Sequence, residues 1–266
     1  MKEAEARKAI EELKKQGRVF SNLYADGMLA RSEEVFKNER AVISICDDHG
    51  VKRLYYFYNY ADSLFKLLSS GCTPSDSNIV LEFMTRNEDE NRDFFEVAGF
   101  TQIAGLKRMS VRDCESALKE NRMDEYFDET VGCFPDIETA GEINKVLWNI
   151  FDTRISHLQD DSEIEESIRN GEFTIHRSNE GVVDAILQAQ IQPRKFYINQ
   201  VYNGTDKHII HAMLQNRLKE YFVQGGKYVF AWIDRDNIAS LKFHEKYGLQ
   251  HDGMWNMVYA RGKNNK

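Results

Sequence analysis

Hydrophobic and polar positions divide the chain into alternating helical and extended segments. The N-terminal MKEAEARKAIEELKKQG has the spacing of a charged amphipathic helix. RAVISICDD and VKRLYYFYNY are β-branched or aromatic runs around DDHG, the turn of a hairpin. ADSLFKLLSSG repeats its apolar positions at helical spacing and carries Gly71 near its end. A strand NIVLEFMT, a short helix NRDFFEVAGF and a strand TQIAGLKRMSV follow. The second half has the same order: helix AGEINKVLWNIFDTRI, strands EFTIHR, VVDAILQAQIQ and KFYINQVYN, and helix IIHAMLQNRLKEYFVQGG. Strand KYVFAWID, helix NIASLKFHEKYG and strand QHDGMWNMVYAR close it.

This grammar predicts a mixed α and β class with a tandem repeat of one fold. The repeat is clearest when FFEVAGFTQIAGLKRMSV is set beside FHEKYGLQHDGMWNMVYA. In both, an aromatic-rich helix ends at a glycine followed by an apolar residue, and a strand with its own glycine comes next. The acidic stretch around CESALKENRMDEYFDET joins the halves, giving domains 1–130 and 131–266.

With 266 residues, 42% hydrophobic and 12% aromatic, the chain is large enough for two buried cores. No apolar run approaches the ~18 residues that cross a bilayer, and the N-terminus lacks a signal-peptide pattern, so a cytoplasmic protein without membrane association is expected. Cys46, Cys72, Cys114 and Cys133 are scattered and lack the close pairs of zinc sites, so free thiols and no metal are expected. A formal charge of −8 argues against nucleic-acid binding. Residues 1–130 hold 19 basic against 25 acidic side chains and residues 131–266 hold 16 against 18, so the second half tolerates an anionic ligand better.

YVFAWIDRDNIASLKFHEKYGL resembles the GNAT superfamily of N-acetyltransferases, whose signature there is a strand, an Asn and a helix ending Tyr-Glu-Lys-x-Gly-Phe. Asn237, Ser240, Phe243, Glu245, Lys246, Gly248 and Leu249 fall in register with it. The resemblance implies a tandem GNAT α/β fold with a mixed sheet, and acetyl-CoA or another acyl-CoA as co-substrate. The acyl group goes to an amine of a small molecule or peptide. It implies that the strand before this helix splays from its neighbour and that the pantetheine arm pairs with YINQVYN, which includes Gln200, Val201 and Asn203. At the family's tyrosine, which protonates the departing thiolate, stands His244, a candidate acid. The matching position in the first half is Phe95, which has no proton to give. The N-terminal domain is therefore expected to be non-catalytic and the C-terminal domain to bind acyl-CoA.

The phosphate turn departs from the family. Its Arg/Gln-x-x-Gly-x-Gly/Ala lets backbone N–H groups approach the pyrophosphate, whereas Asp206, Lys207, Ile209 and His211 stand at those places. Either Gly204 and Thr205 supply the turn and Lys207 and His208 the positive charge, or CoA is not held in the usual way. An acyl carrier protein, with its single phosphate, would ask less of this loop, and Arg194, Lys195, Lys207 and Arg217 are candidates for a basic rim. Glu172 and Asp184 are candidate bases, and Phe196, Tyr197, Tyr202 and Trp232 candidate pocket walls. A solvent-facing helix histidine is the other reading of His244, and an inactive tandem GNAT protein acting as a binding or regulatory module is the other reading of the chain. Aminoacyl-transferases of two GNAT-like domains use charged tRNA and would need a basic stripe that is missing here. Hydrolase, metalloprotease and nucleotide-triphosphatase motifs are also missing.

Overall fold

Ala6, Ala9, Ile10 and Leu13 recur at i, i+3, i+4 and i+7, and helix α1 (Lys2–Gln16) buries all four. The computed structural model describes residues 2–23, 26–71, 78–120 and 123–262. After α1 come β1 (Phe20–Ser21), a 3-10 turn at Asp26–Arg31, β2 (Ser32–Lys37), β3 (Ala41–Asp48), β4 (Val51–Tyr58) and α2 (Ala61–Ser69). Then follow β5 (Ile79–Thr85), α3 (Arg92–Val97), β6 (Thr101–Val111), α4 (Cys114–Glu120), α5 (Ala140–Ile150), α6 (Asp161–Arg169), β7 (Phe173–Arg177) and β8 (Val183–Gln192). The chain ends with β9 (Lys195–Asn203), α7 (Lys207–Val223), β10 (Val229–Asp234), α8 (Ile238–Glu245) and β11 (Gln250–Arg261).

These elements form two compact units that interleave along the chain. Unit 1 is Met1–Gly105 with Thr153–His157 and Trp255–Lys266, and unit 2 is Leu106–Asp152 with Leu158–Met254. The acidic stretch that marks the boundary in sequence carries α4, whose Cys114 and Leu118 are buried in the main core of unit 2.

In unit 1, β2, β3 and β4 are antiparallel neighbours. β4 runs parallel to β5 for three pairs, Lys52↔Ile79 to Leu54↔Leu81. The far edge of β5 pairs with β11 from Trp255↔Thr85 to Arg261↔Ile79. Alternation sends Ile43, Ile45, Leu54 and Tyr56 to the core under α2 and α3, and Val42, Cys46, Tyr55 and Phe57 to the core under α1.

In unit 2, β7, β8 and β9 are antiparallel neighbours. β9 runs parallel to β10 for three pairs, Phe196↔Val229 to Ile198↔Ala231, and β10 pairs with β6 along its whole length, from Val229↔Val111 to Asp234↔Leu106. Ala185, Leu187, Ala189, Phe196 and Ile198 face the core that takes in α7 and α8, while Ile186 and Val183 face the core under α5 and α6.

The paired glycine turns of the sequence repeat are built alike. Phe100 donates its N–H to the Phe95 carbonyl across Gly99, and Leu249 donates to the His244 carbonyl across Gly248. Both glycines have positive φ, 83° and 76°. At Gly248 a side chain is doubly excluded, because a Cβ would lie 2.5 Å from that of Ala117. The pattern reading leaves out β1, β2, α4 and α6, and carries α5 past Ile150, where the helix ends at the extended Phe151. No described helix is long and apolar enough to cross a membrane.

Candidate active site

Three pairs are all that hold β9 to β10. Beyond Ile198 and Ala231 their ladder stops, while β10 continues to pair with β6 as far as Asp234. The cause lies in β9. Its register to β8 jumps from Gln188↔Gln200 to Ala189↔Ile198, leaving Asn199 as an extra residue. A bulge bends its strand and increases the twist, so Asn199–Asn203 leave the line of β10. The Asn199 amide is held by Gln188 Oε1 at 2.9 Å, and Gln188 in turn donates to Gln159. The bulge is thus pinned by side chains. The result is a parallel pair that parts after three residue pairs, at the place where the sequence resemblance puts the pantetheine arm.

The helix after β10 starts where the sequence puts it. Asn237 caps α8 by accepting the Ser240 N–H at 3.0 Å. Leu241, His244 and Tyr247 recur every three residues, and all three are buried. His244 is 3% exposed, so the solvent-facing reading of this histidine is corrected by its place on the apolar side. Its Nδ1 lies 2.8 Å from the Ser240 carbonyl. A carbonyl only accepts, so Nδ1 carries the proton and Nε2 holds a lone pair. Burial, against the weaker opposing effect of the Ser240 carbonyl, pushes the pKa down to about 4. Nε2 is buried and has no hydrogen-bond partner among the described residues. At neutral pH this atom can accept a proton. It has none to give until it has taken one.

Beside it, Phe243 lies edge-on to His244 with ring centroids 5.1 Å apart and stacks on His211 at 4.8 Å. His211 Nδ1 is 2.8 Å from the Tyr247 hydroxyl, and both residues are buried. Burial first, then the nearby Lys246, Lys207 and His208, lower the His211 pKa to about 4. This pair ties α7 to the end of α8. It was not legible as a contact in the sequence, because 36 residues separate the partners.

The loop between β9 and α7 takes its own path. Gly204 donates its N–H to the Asp184 carbonyl at 2.7 Å. A Cβ there would fall 2.3 Å from the Tyr202 hydroxyl oxygen and 3.2 Å from the Asp184 carbonyl oxygen, so a larger residue would need the Tyr202 ring to move. Asp206 caps α7 by accepting the His208 N–H at 2.7 Å. The cap satisfies the helix and puts a carboxylate at its N-terminus. Lys207 and His208 are exposed and Thr205 is half-buried.

The other candidates are scattered. Gln200 is buried on β9, Val201 is half-buried against the main core, and Asn203 is exposed. Glu172 immediately precedes the edge strand β7, accepting from Gln190 at 3.3 Å. Since β8 separates β7 from β9, it stands two strand spacings, about 9–10 Å, from β9. Asp184 is paired with His176 at 2.6 Å. Arg217 is no rim residue: it is 6% exposed and donates to the Gly171 carbonyl and Glu220. Lys195 lies over Phe230, which stacks on Tyr197. Phe196 is core, Tyr202 packs against the core under α5 and α6, and Trp232 lies beneath Arg108. Cys46 and Cys114 are buried free thiols and Cys133 an exposed one, while Cys72 lies outside the described residues. Burial pushes the Cys114 thiol up to about 12, so it is inert.

By sequence, the chain matches no protein-family model and no curated protein. By structure, it is similar to a GCN5-related N-acetyltransferase from Sphaerobacter thermophilus at TM-score 0.54 and 11% identity, covering 97% of this chain and 90% of that one. It is also similar to an acetyltransferase from the GNAT family from Colwellia psychrerythraea (TM-score 0.50, 12% identity, 97% and 95% covered). A tandem GNAT protein from the clavulanic acid biosynthesis pathway matches at TM-score 0.51 and 9% identity, with 83% and 78% covered. Such likeness at low identity is a likeness of fold. The splayed parallel pair, the pinned bulge and the glycine-ended helix, together with these full-length matches, give this chain the tandem GNAT fold.

Proposed function

We propose that unit 2 is an N-acyltransferase that moves an acetyl or other acyl group from a CoA or phosphopantetheine thioester to an amine of a small molecule or peptide. The observation that carries this reading is the combination of a β9–β10 ladder that ends after three pairs and a buried His244 Nε2, without a hydrogen-bond partner among the described residues, on the helix that follows β10. The end of the ladder leaves β9 backbone groups in reach of an extended amide-bearing arm. A buried acceptor without a partner costs free energy, which a reactive proton would recover. As the amine attacks, its nitrogen becomes acidic and Nε2 takes that proton. The C–N bond forms and the C–S bond breaks. The imidazolium, acidic in this buried site, then passes the proton to the departing sulfur. Acceptor and acyl chain length are left open by the same residues.

Acetyl-CoA is expected to raise the melting temperature. A ligand at a hundredfold excess over Kd stabilises the folded state by about 2.7 kcal/mol, roughly 5–10 °C for a chain of this size. If acetyl-CoA, longer acyl-CoAs and an acyl-phosphopantetheine carrier all leave the melting temperature unmoved, the chain is a binding module of another kind.

A carrier-protein donor is favoured over free CoA by one observation. The Asp206 carboxylate and the Asp184 carbonyl already accept the His208 and Gly204 N–H groups, and the Asp206 carboxylate faces the helix end where a pyrophosphate would dock. Asp206→Ser keeps a capping oxygen and removes the charge. It is expected to tighten CoA by about two- to fivefold and to leave pantetheine, which lacks the pyrophosphate, unchanged. Equal CoA dissociation constants for the two proteins would remove Asp206 from the phosphate end.

A further inference from the structure

Unit 1 has the same splayed pair of strands as unit 2, and its V is filled by the chain itself. The β4–β5 ladder also stops after three pairs, at Leu54↔Leu81. Leu54, Tyr56 and Tyr58 are two residues apart and turn their backbone groups to one edge of β4. The opposite edge belongs to β3, which pairs along all of β4, from Ala41↔Tyr58 to Asp48↔Val51. On the edge facing β5, β1 pairs antiparallel through Phe20↔Tyr58 and Ser21↔Phe57. The next residue, Asn22, enters the V. Its Nδ2 donates to the Leu54 carbonyl and to the Glu82 carbonyl of β5, each at 3.0 Å, and its Oδ1 accepts the Tyr56 N–H at 2.8 Å. Asn22 is 8% exposed.

In donating to the Leu54 carbonyl and accepting the Tyr56 N–H, the Asn22 carboxamide makes the donor and acceptor pair that the amide of an extended arm makes with a strand edge, and its second N–H ties it to the Glu82 carbonyl of β5. We infer that Asn22, delivered by β1, is a built-in occupant of the unit 1 cleft, closing it to a pantetheine arm and leaving the protein one acyl-donor cleft instead of two. The Phe95 position of unit 1, an inert ring buried at 0% exposure where unit 2 has His244, fits a cleft that does no proton chemistry. The inference goes beyond the acyltransferase reading of unit 2, and the unit 1 cleft is tested apart from it.

The test uses the full chain and CoA or pantetheine as probes. In hydrogen exchange read by mass spectrometry, saturating CoA is expected to slow peptides covering 199–203 and to leave 55–58 unchanged. In equilibrium dialysis the wild-type chain is expected to take up one equivalent. Asn22→Ala, or Asn22→Ser where the alanine variant does not fold, is expected to take up one equivalent more of pantetheine than wild type and to show new protection at 55–58. Wild-type protection at 55–58, or a folded variant whose stoichiometry equals that of wild type, overturns the inference. A wild-type chain that binds nothing while the Asn22 variant binds one equivalent would overturn the reading of unit 2 and leave the closed cleft of unit 1 standing.

Discussion

Changing His244 to alanine is expected to slow acyl transfer by about 10²–10⁴-fold, the usual contribution of a positioned proton-transfer group, with acyl-CoA binding retained. The reason is positional and electronic. The Ser240 carbonyl holds the proton on Nδ1, burial keeps the ring neutral, and Nε2 is left as a buried acceptor. A histidine of ordinary pKa acting only as an acid would lose activity as the pH rises through about 6.5. His244 instead has its lone pair available at every pH above about 4. The enzyme-side pH profile of kcat/KM is therefore expected to be flat from about pH 5 to 8. The sign for stability runs the same way. A pKa lowered from 6.5 to about 4 means that the folded state opposes charging, so the stability tied to a neutral His244 is full above pH 6.5 and is lost as the pH falls towards 4. His244→Ala should remove that acid sensitivity as well as the rate. An alanine variant with unchanged kcat, or a wild-type profile governed by an enzyme group near 6.5, would falsify the proton-acceptor role.

What the sequence disclosed and what it concealed divide by distance along the chain. The Asn237 cap and the Gly248 turn depend on residues three to five apart, and the propensities that produce them are local. The repeat of glycine-ended helices is visible for the same reason. Helix α6 was equally local: Asp160 and Glu163 make a reciprocal capping box, so the signal was present and the pattern reading passes over it. Even the burial of His244 has a signature in its three-residue spacing from Leu241 and Tyr247. Its tautomer and the lack of a partner for Nε2 among the described residues do not, because they depend on what packs around the ring. Arg217 was expected on a basic rim because charge alone suggests solvent. α7 is buried at Ile210, His211, Ala212, Met213, Leu214 and Gln215 in succession, so its middle is enclosed on more than one side. Asn22 meets β4 and β5 across 32 and 60 residues, and nothing in LYADG or SNL points to a strand edge that far away.

Replacing Arg53 with methionine is expected to destabilise the protein by about 3–5 kcal/mol, because it removes one partner from a buried ionic network and strands the others. Arg53 is 3% exposed. It donates to Asp48 at 2.5 Å, to Glu82 at 3.4 Å, and to the carbonyls of Thr153 and Ser156 at 2.7 and 3.1 Å. In doing so it fastens the Thr153–His157 segment to β4 and β5 of unit 1. His157 completes the network, with Nδ1 3.2 Å from Asp48 and Nε2 2.5 Å from Glu82, while Asn256 donates to the other Glu82 oxygen. Burial alone would raise both carboxyl groups, yet His157 and Arg53 outweigh it and hold Asp48 and Glu82 at about 2. Burial likewise opposes charge on His157, and the two carboxylates outweigh it and raise its pKa. Because both ring nitrogens face carboxylates, both carry protons and the ring is an imidazolium. The carboxylate contribution is therefore present above the ordinary values of 3.8 and 4.5 and is lost as the pH falls towards 2. The His157 contribution is full below 6.5 and is lost as the pH rises through its raised folded value. Stability should peak in the mildly acidic to neutral range, and His157→Gln, which cannot become a cation, should flatten the alkaline limb. Urea unfolding of the three proteins across pH 4–9 measures both effects. An Arg53→Met variant within 1 kcal/mol of wild type, or a His157→Gln variant with the wild-type alkaline slope, would mean that the segment is held by packing and that the charges contribute little.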